Sequence, residues 1–229
     1  MDYDTNKILY DLSILPLDLN EEFYMTDDLQ LILDETDLLD SFTFEYGASK
    51  LVLIPKDTSK KYVIKIPFNG IEDDVFDENS NYLGYGYVSF EYSKIKKRPW
   101  DYCATEYYRY KIAKKYSFES YFAKTDILGY VNNYPIYIQP RCIVFSKSDI
   151  DFSDKEREHT KSICTEDKKK IIPINLNWLT LFKYTYGENE LIPFLNFLSK
   201  WKWDDDLRGD NLGILNGKPV IIDYSGYRE

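Results

Sequence analysis

Two apolar runs near the carboxyl end, residues 212–215 and 220–222, are separated by Asn216-Gly217-Lys218-Pro219. Asn-Gly suits the two left-handed positions of a tight turn, so the runs read as a short antiparallel hairpin. Polar residues flank it at fixed spacing. Asp206 lies five residues before Asn211. Twelve residues after Asn211, Asp223 ends the second apolar run, and Gly226 follows closely. The layout is a loop, a hairpin and a turn carrying carboxylate and amide oxygens, the donors a hard dication prefers. A polar turn held by Asx hydrogen bonds, then a strand running into an Asp-x-x-Gly turn, accounts for the same residues without chemistry.

The rest of the chain must supply a core for those strands. With 229 residues, 44% of them hydrophobic, it can build one two-lobed domain or two small ones. Aromatic residues reach 17%, with 22 Tyr. Tyr buries area while keeping one polar atom wet, so the excess means either broad, partly exposed surfaces or a plain compositional bias. A net charge of −10 argues against wrapping nucleic acid, whose phosphates call for Lys and Arg. A nucleotide site on so acidic a chain needs a local positive focus, and Lys65 is the candidate. Cys103, Cys142 and Cys164 lack ligand spacing and His159 is the sole histidine, so no zinc site is expected; reduced thiols in a cytosol fit. The start, Met1-Asp2-Tyr3-Asp4, has no basic region or apolar run, so no signal peptide is expected. No apolar run approaches the roughly 20 residues of a membrane span.

Along the chain, residues 1–40 read as an acidic N-terminal extension, with Thr26-Asp27-Asp28 capping a short helix through Leu29, Leu31, Ile32 and Leu33. Residues 42–46, 51–54 and 62–66 read as strands of an antiparallel meander. Its turns are Gly47-Ala48-Ser49-Lys50 and the polar stretch 55–60. Residues 69–100, with Gly70, Gly84 and Gly86, read as an insert, part loop and part hairpin. A helix is expected from near Trp100 to Lys114-Lys115, basic residues that suit a helix C-terminus. Strands follow at 126–131 and 136–139, around Asn132-Asn133. The charged stretch 145–170 reads as a linker. Apolar residues spaced by three and four from Trp178 to Trp201 read as helix. The expected class is α+β, with a five-stranded antiparallel lobe and one helix at 41–142, then a reduced, mainly helical lobe at 143–229.

This order resembles the protein-kinase-like superfamily over roughly residues 40–226: meander with Lys65 on its third strand, helix, two strands, helix, then Asp…Asn…Asp. The family's catalytic loop reads His-x-Asp-Leu-x-x-x-Asn, and residues 204–211 match it with Asp204 in place of the His. The resemblance implies that Asp206 is the catalytic base or orienting carboxylate, that Asn211 binds Mg²⁺, and that Arg208 stabilises charge on the transferred group. Asp223-Tyr224-Ser225-Gly226 resembles the Asp-Phe-Gly element with one residue inserted, which makes Asp223 the second metal ligand. Val63-Ile64-Lys65 resembles the Val-Ala-Ile-Lys strand, which puts the Lys65 ammonium on the α- and β-phosphates of ATP. That ammonium then needs a carboxylate; Glu106 is the natural partner, with Glu91 and Glu119 as alternatives. A Lys between β-branched residues ordinarily faces solvent, and the sequence leaves that open.

The cofactor contacts implied elsewhere are less distinctive. Gly47 and Ser49 would meet phosphate through backbone N–H or hydroxyl, although one Gly departs from the family's Gly-x-Gly-x-x-Gly loop and a hairpin turn explains it equally. Gln139 and Arg141 stand where the family has its adenine-binding hinge. The family's peptide-holding C-terminal helices have no counterpart after Gly226, so the second lobe is expected to be truncated.

Three functions compete. The first is a minimal phosphotransferase using ATP and Mg²⁺ to phosphorylate a protein hydroxyl in the cytoplasm. The second is an inactive, pseudokinase-type module that docks a partner protein. The third is an acidic interaction or virion protein of a virus or phage, in the host cytoplasm, with a chance motif match. All three imply a protein partner, and neither nucleic acid nor membrane. The sequence sets no oligomeric state.

Overall fold

The structure is a computed structural model that describes residues 4–13, 33–34, 37–47, 50–67, 71–76, 82–89, 101–145, 174–203, 207 and 209–225. For 46, 47, 71–76, 82–89 and 176 it describes the backbone only. The fold is mixed α+β and forms two compact units. One comprises Met1–Thr105 with Thr125–Gln139; the other comprises Glu106–Lys124 with Pro140–Glu229.

The first unit is built on a five-stranded sheet. Alternating apolar residues make β1 (Phe42–Gly47), β2 (Lys50–Pro55) and β3 (Tyr62–Pro67), an antiparallel meander in which Leu53 faces Phe44 and Ile64. A second hairpin joins them later in the chain. Its strands are β6 (Asp126–Val131) and β7 (Tyr134–Pro140), turned by Asn132 and Asn133 at φ 49 and 69. The sheet order is β1-β2-β3-β7-β6. Between them in sequence, β4 (Ile71–Phe76) and β5 (Tyr82–Ser89) pair as a separate two-stranded sheet inside the expected insert.

One face of the large sheet carries the core. Leu51, Leu53, Ile64, Ile66, Ile136 and Ile138 are buried there together. Each fully buried side chain of this size contributes about 1.5–3 kcal/mol. The expected N-terminal extension takes part in that core. Helix α1 (Thr5–Leu12) is capped by Asp4, which accepts the Lys7 amide at 3.1 Å, and it buries Ile8 and Leu12 one turn apart. Leu33 and Leu38 join the cluster, the latter from the short helix α2 (Leu38–Ser41). The cap proposed at Thr26-Asp27-Asp28 lies outside the described residues.

Helix α3 (Tyr102–Lys115) begins where the sequence places a helix and ends on Lys114 and Lys115. Asp101 fixes its start, taking the Ala104 amide at 2.8 Å on one oxygen and the Tyr137 hydroxyl at 2.8 Å on the other. The described part of the charged stretch 145–170 is residue 145 alone.

The second unit packs two helices on a small sheet. Helix α4 (Leu176–Tyr186) is capped by Asn175, which accepts the amides of Asn177 and Trp178. Helix α5 (Glu188–Lys200) follows directly. The sequence reads this region as one helical stretch. Gly187, at φ 94, divides it, because that backbone conformation cannot continue a right-handed helix. The sheet has the order β10-β9-β8, from β8 (Ile143–Val144), β9 (Leu212–Leu215) and β10 (Lys218–Ile221). Part of the aromatic excess is spent here. Phe182 stacks on Phe194 at 5.3 Å, and Tyr121 meets Phe182, Tyr186 and Phe194 edge-on at 4.6–4.9 Å. Among the described residues, no helix is long and apolar enough to cross a membrane.

Candidate functional site

The β9–β10 hairpin builds the part of the site that is best defined. Asn216 and Gly217 adopt φ 51 and 78, both left-handed, and the turn sets Leu215 opposite Lys218 and Leu212 opposite Ile221. Antiparallel pairing therefore returns the chain to where β9 began. Asn211, in the 3₁₀ turn Gly209–Asn211, accepts the Ile222 amide at 2.8 Å and the Asp223 amide at 3.3 Å on its carbonyl oxygen. Asn211 is only 6% exposed. Asp223 is half-buried, and its Oδ1 accepts the Ser225 hydroxyl at 3.0 Å, which orients the carboxylate. The approach is close: a Cβ on Gly213 would stand 3.0 Å from Ile222 Cγ2 and 3.1 Å from both Cys142 Cβ and the Ile143 carbonyl oxygen.

Two of the residues expected around the metal are thus joined. Asn211 and Asp223 present amide and carboxylate oxygens, and this donor chemistry fits Mg²⁺ held with phosphate and water oxygens. Among the described residues, no group of three or more His, Cys, Asp or Glu forms a metal cluster. Asp206, Arg208 and Ser49 lie outside the described residues, as does Glu91. Gly47 is described in backbone only, at the end of β1 opposite Lys50.

In the first unit, Lys65 occupies β3 opposite Val52. Strand alternation puts it on the face away from Ile64 and Ile66. It is nevertheless 5% exposed, so the solvent-facing alternative does not hold. A Lys is seldom so buried unless it is paired. Gln139 is buried in the same unit, and its Nε2 donates to the Thr125 hydroxyl at 2.9 Å, an internal tie between the ends of β7 and the segment before β6.

The remaining expected residues belong to the second unit. Glu106, on α3, is fully buried. Arg141 is half-buried between β7 and β8. Glu119 starts a 3₁₀ turn, Glu119–Tyr121.

Sequence reasoning passed over two residues that hold the Asp223 turn. Arg109, one helical turn beyond Glu106, donates from Nη1 to the Tyr224 carbonyl at 2.6 Å, and its guanidinium lies 5.0 Å from the centre of the Trp203 ring. The Tyr224 hydroxyl donates to the Ala123 carbonyl at 2.8 Å. The available signal was spacing: Glu106 and Arg109 share one helix face. No protein-family model, no curated protein and no solved structure matches this chain.

Proposed function

We propose that this protein is a kinase-like phosphotransferase that uses Mg²⁺-ATP to phosphorylate a protein hydroxyl. The observation that carries the proposal is the tie between Asn211 and Asp223, whose carbonyl and amide are 3.3 Å apart at the open end of the hairpin. It ties the main chain at two of the family's motif positions, whose side chains carry the amide and carboxylate oxygens that Mg²⁺ prefers. Further support comes from the burial of Lys65 on the third strand of the large sheet and of Glu106 on the helix that follows. In this proposal the sheet unit corresponds to the family's strand-rich lobe and the second unit to its reduced helical lobe.

Each residue then has one task. Asn211 and Asp223 would hold Mg²⁺, which when bound offsets charge on the β- and γ-phosphates. Lys65 would bind α- and β-phosphate oxygens through its ammonium, and Glu106 would supply a buried carboxylate. Asp206 orients the acceptor hydroxyl and takes its proton at the carboxylate. Arg208 stabilises negative charge on the group in transfer. Gly47, Ser49, Gln139 and Arg141 line the nucleotide through backbone and polar contacts.

The test is transfer of labelled γ-phosphate to a generic protein substrate, alongside calorimetric titration of Mg²⁺-ATP. Wild type is expected to bind and transfer. Asp223→Ala and Asp206→Ala are expected to lose transfer while remaining folded, and Lys65→Met to bind nucleotide more weakly. Binding without transfer by wild type selects the pseudokinase-type docking module. Absence of Mg²⁺-ATP binding removes both and leaves an acidic interaction or virion protein.

A further inference from the structure

Arg109 is buried, 9% exposed, and its guanidinium serves two segments that are far apart in sequence. Its Nη1 donates to the carbonyl of Tyr224, the residue after Asp223, and its Cζ lies over the ring of Trp203, 5.0 Å from the centroid. Trp203 stands three positions before Asp206, and its own amide is tied to the Leu198 carbonyl at 2.9 Å, so its backbone is fixed to the end of α5. Tyr224 is pinned from the other side. Its hydroxyl reaches the Ala123 carbonyl, its ring meets Phe122 edge-on at 5.1 Å, and Ala123 in turn donates its amide to the Ile221 carbonyl at 2.8 Å.

A guanidinium suits this task. It donates in a rigid plane, stacks on an aromatic face and keeps its charge, whereas an ammonium offers neither plane nor stacking. A charge-assisted bond of 2.6 Å to a main-chain carbonyl restrains the backbone of the turn itself.

We propose that Arg109 is a positioning residue: it fixes the Asp223–Ser225 turn relative to the segment that leads into Asp206, and so presets the metal-binding carboxylate. The inference deepens the phosphotransferase proposal, on which its consequence for metal affinity rests. The preset turn itself is a property of the chain alone. Oriented partners behind metal ligands typically change metal affinity by about 10–100-fold when removed.

The experiment compares wild type with Arg109→Lys and Trp203→Leu. The first keeps the charge and removes the planar fork; the second leaves Arg109 in place and removes its aromatic support. Two readouts are taken on folded protein. Hydrogen exchange reports the Asp223 and Ser225 amides against the Ile221 amide, and titration of Mg²⁺ at fixed ATP reports metal affinity. In Arg109→Lys, exchange at Asp223 and Ser225 is expected to speed by roughly tenfold or more while Ile221 is unchanged, and the Mg²⁺ requirement to rise by a similar factor. Trp203→Leu is expected to move both in the same direction by less. Unchanged exchange at Asp223 in either folded variant overturns the positioning role. Faster exchange in a protein whose wild type binds no Mg²⁺-ATP keeps the positioning role and rejects the phosphotransferase proposal instead. A fall in melting temperature with both local readouts unchanged marks a merely structural arginine and likewise overturns the role.

Discussion

Tyr121 shows how a single side chain can report on the packing of the second unit. Its hydroxyl donates to Glu190 Oε2 at 2.9 Å, inside the ring cluster of Phe182, Tyr186 and Phe194. Burial, then the bond to Glu190 and its charge, raise the tyrosine well above its ordinary value of 10.0. Burial raises Tyr186 as well. Raised values mean that the folded state holds its proton longer than the unfolded chain. The stabilisation is fully present below pH 10.0 and is lost as pH rises above it. Tyr121→Phe removes one such group, so its stability is expected to fall less steeply in alkali, while near neutrality it loses a hydrogen bond worth about 0.5–1.5 kcal/mol. Urea unfolding midpoints between about pH 8 and about pH 11 measure this, and parallel slopes for variant and wild type would contradict the assignment. Lys65 is the opposite case at this scale: its neighbours in sequence could not reveal its burial, because what covers a strand face is decided by distant chain.

At the scale of elements, the features legible in the sequence are local ones. The meander, helix α3 and the β9–β10 hairpin follow from alternation, from basic residues at a helix end and from Asn-Gly, all within short windows. Non-local features were hidden. The joining of β7 to β3 closes the five-stranded sheet, and no window contains both strands. The Arg109–Tyr224 bond spans 115 positions. Helix α1 carried a readable cap at Asp4 and apolar residues four apart, but the acidic composition around it suggested an extension. Its packing also depends on Gly129, where a Cβ would run into the Leu9 side chain. Gly213 makes a comparable demand on the hairpin. Gly213→Ala sets a methyl against Ile222, Cys142 and the Ile143 carbonyl, so these neighbours must give by a few tenths of an ångström, Ile222 next to Asp223 among them. A loss of about 1–3 kcal/mol is expected in chemical denaturation. An unchanged midpoint would mean that the hairpin absorbs the methyl, and that Asn211 and Asp223 are not held by it.

For the whole molecule, charge decides how a nucleotide can be accepted. The chain carries −10, and ATP without metal is itself a polyanion. The half-buried Asp223 adds a carboxylate near the position where phosphate is expected. A dication entering with the nucleotide offsets this repulsion at Asp223 itself, so the proposed function predicts dependence on Mg²⁺ for binding as well as for transfer. A ligand that binds the folded state alone stabilises it by about 2.7 kcal/mol at roughly a hundredfold excess over Kd. Mg²⁺-ATP is expected to raise the melting temperature of wild type accordingly, and ATP with EDTA to leave it almost unmoved. Asp223→Asn removes the carboxylate, weakens metal binding and lessens the repulsion, so in this variant the gap between the two conditions should narrow. With two compact units, the transition has to be followed by separate probes, since they can melt apart and one midpoint would mix them. Tryptophan fluorescence is weighted to the second unit, which holds Trp178, Trp201 and Trp203, and a Trp100→Phe background removes the one tryptophan of the first. Equal stabilisation of wild type with and without the dication would mean that the nucleotide is held by cationic side chains alone, and Asn211 and Asp223 would then have no metal to bind.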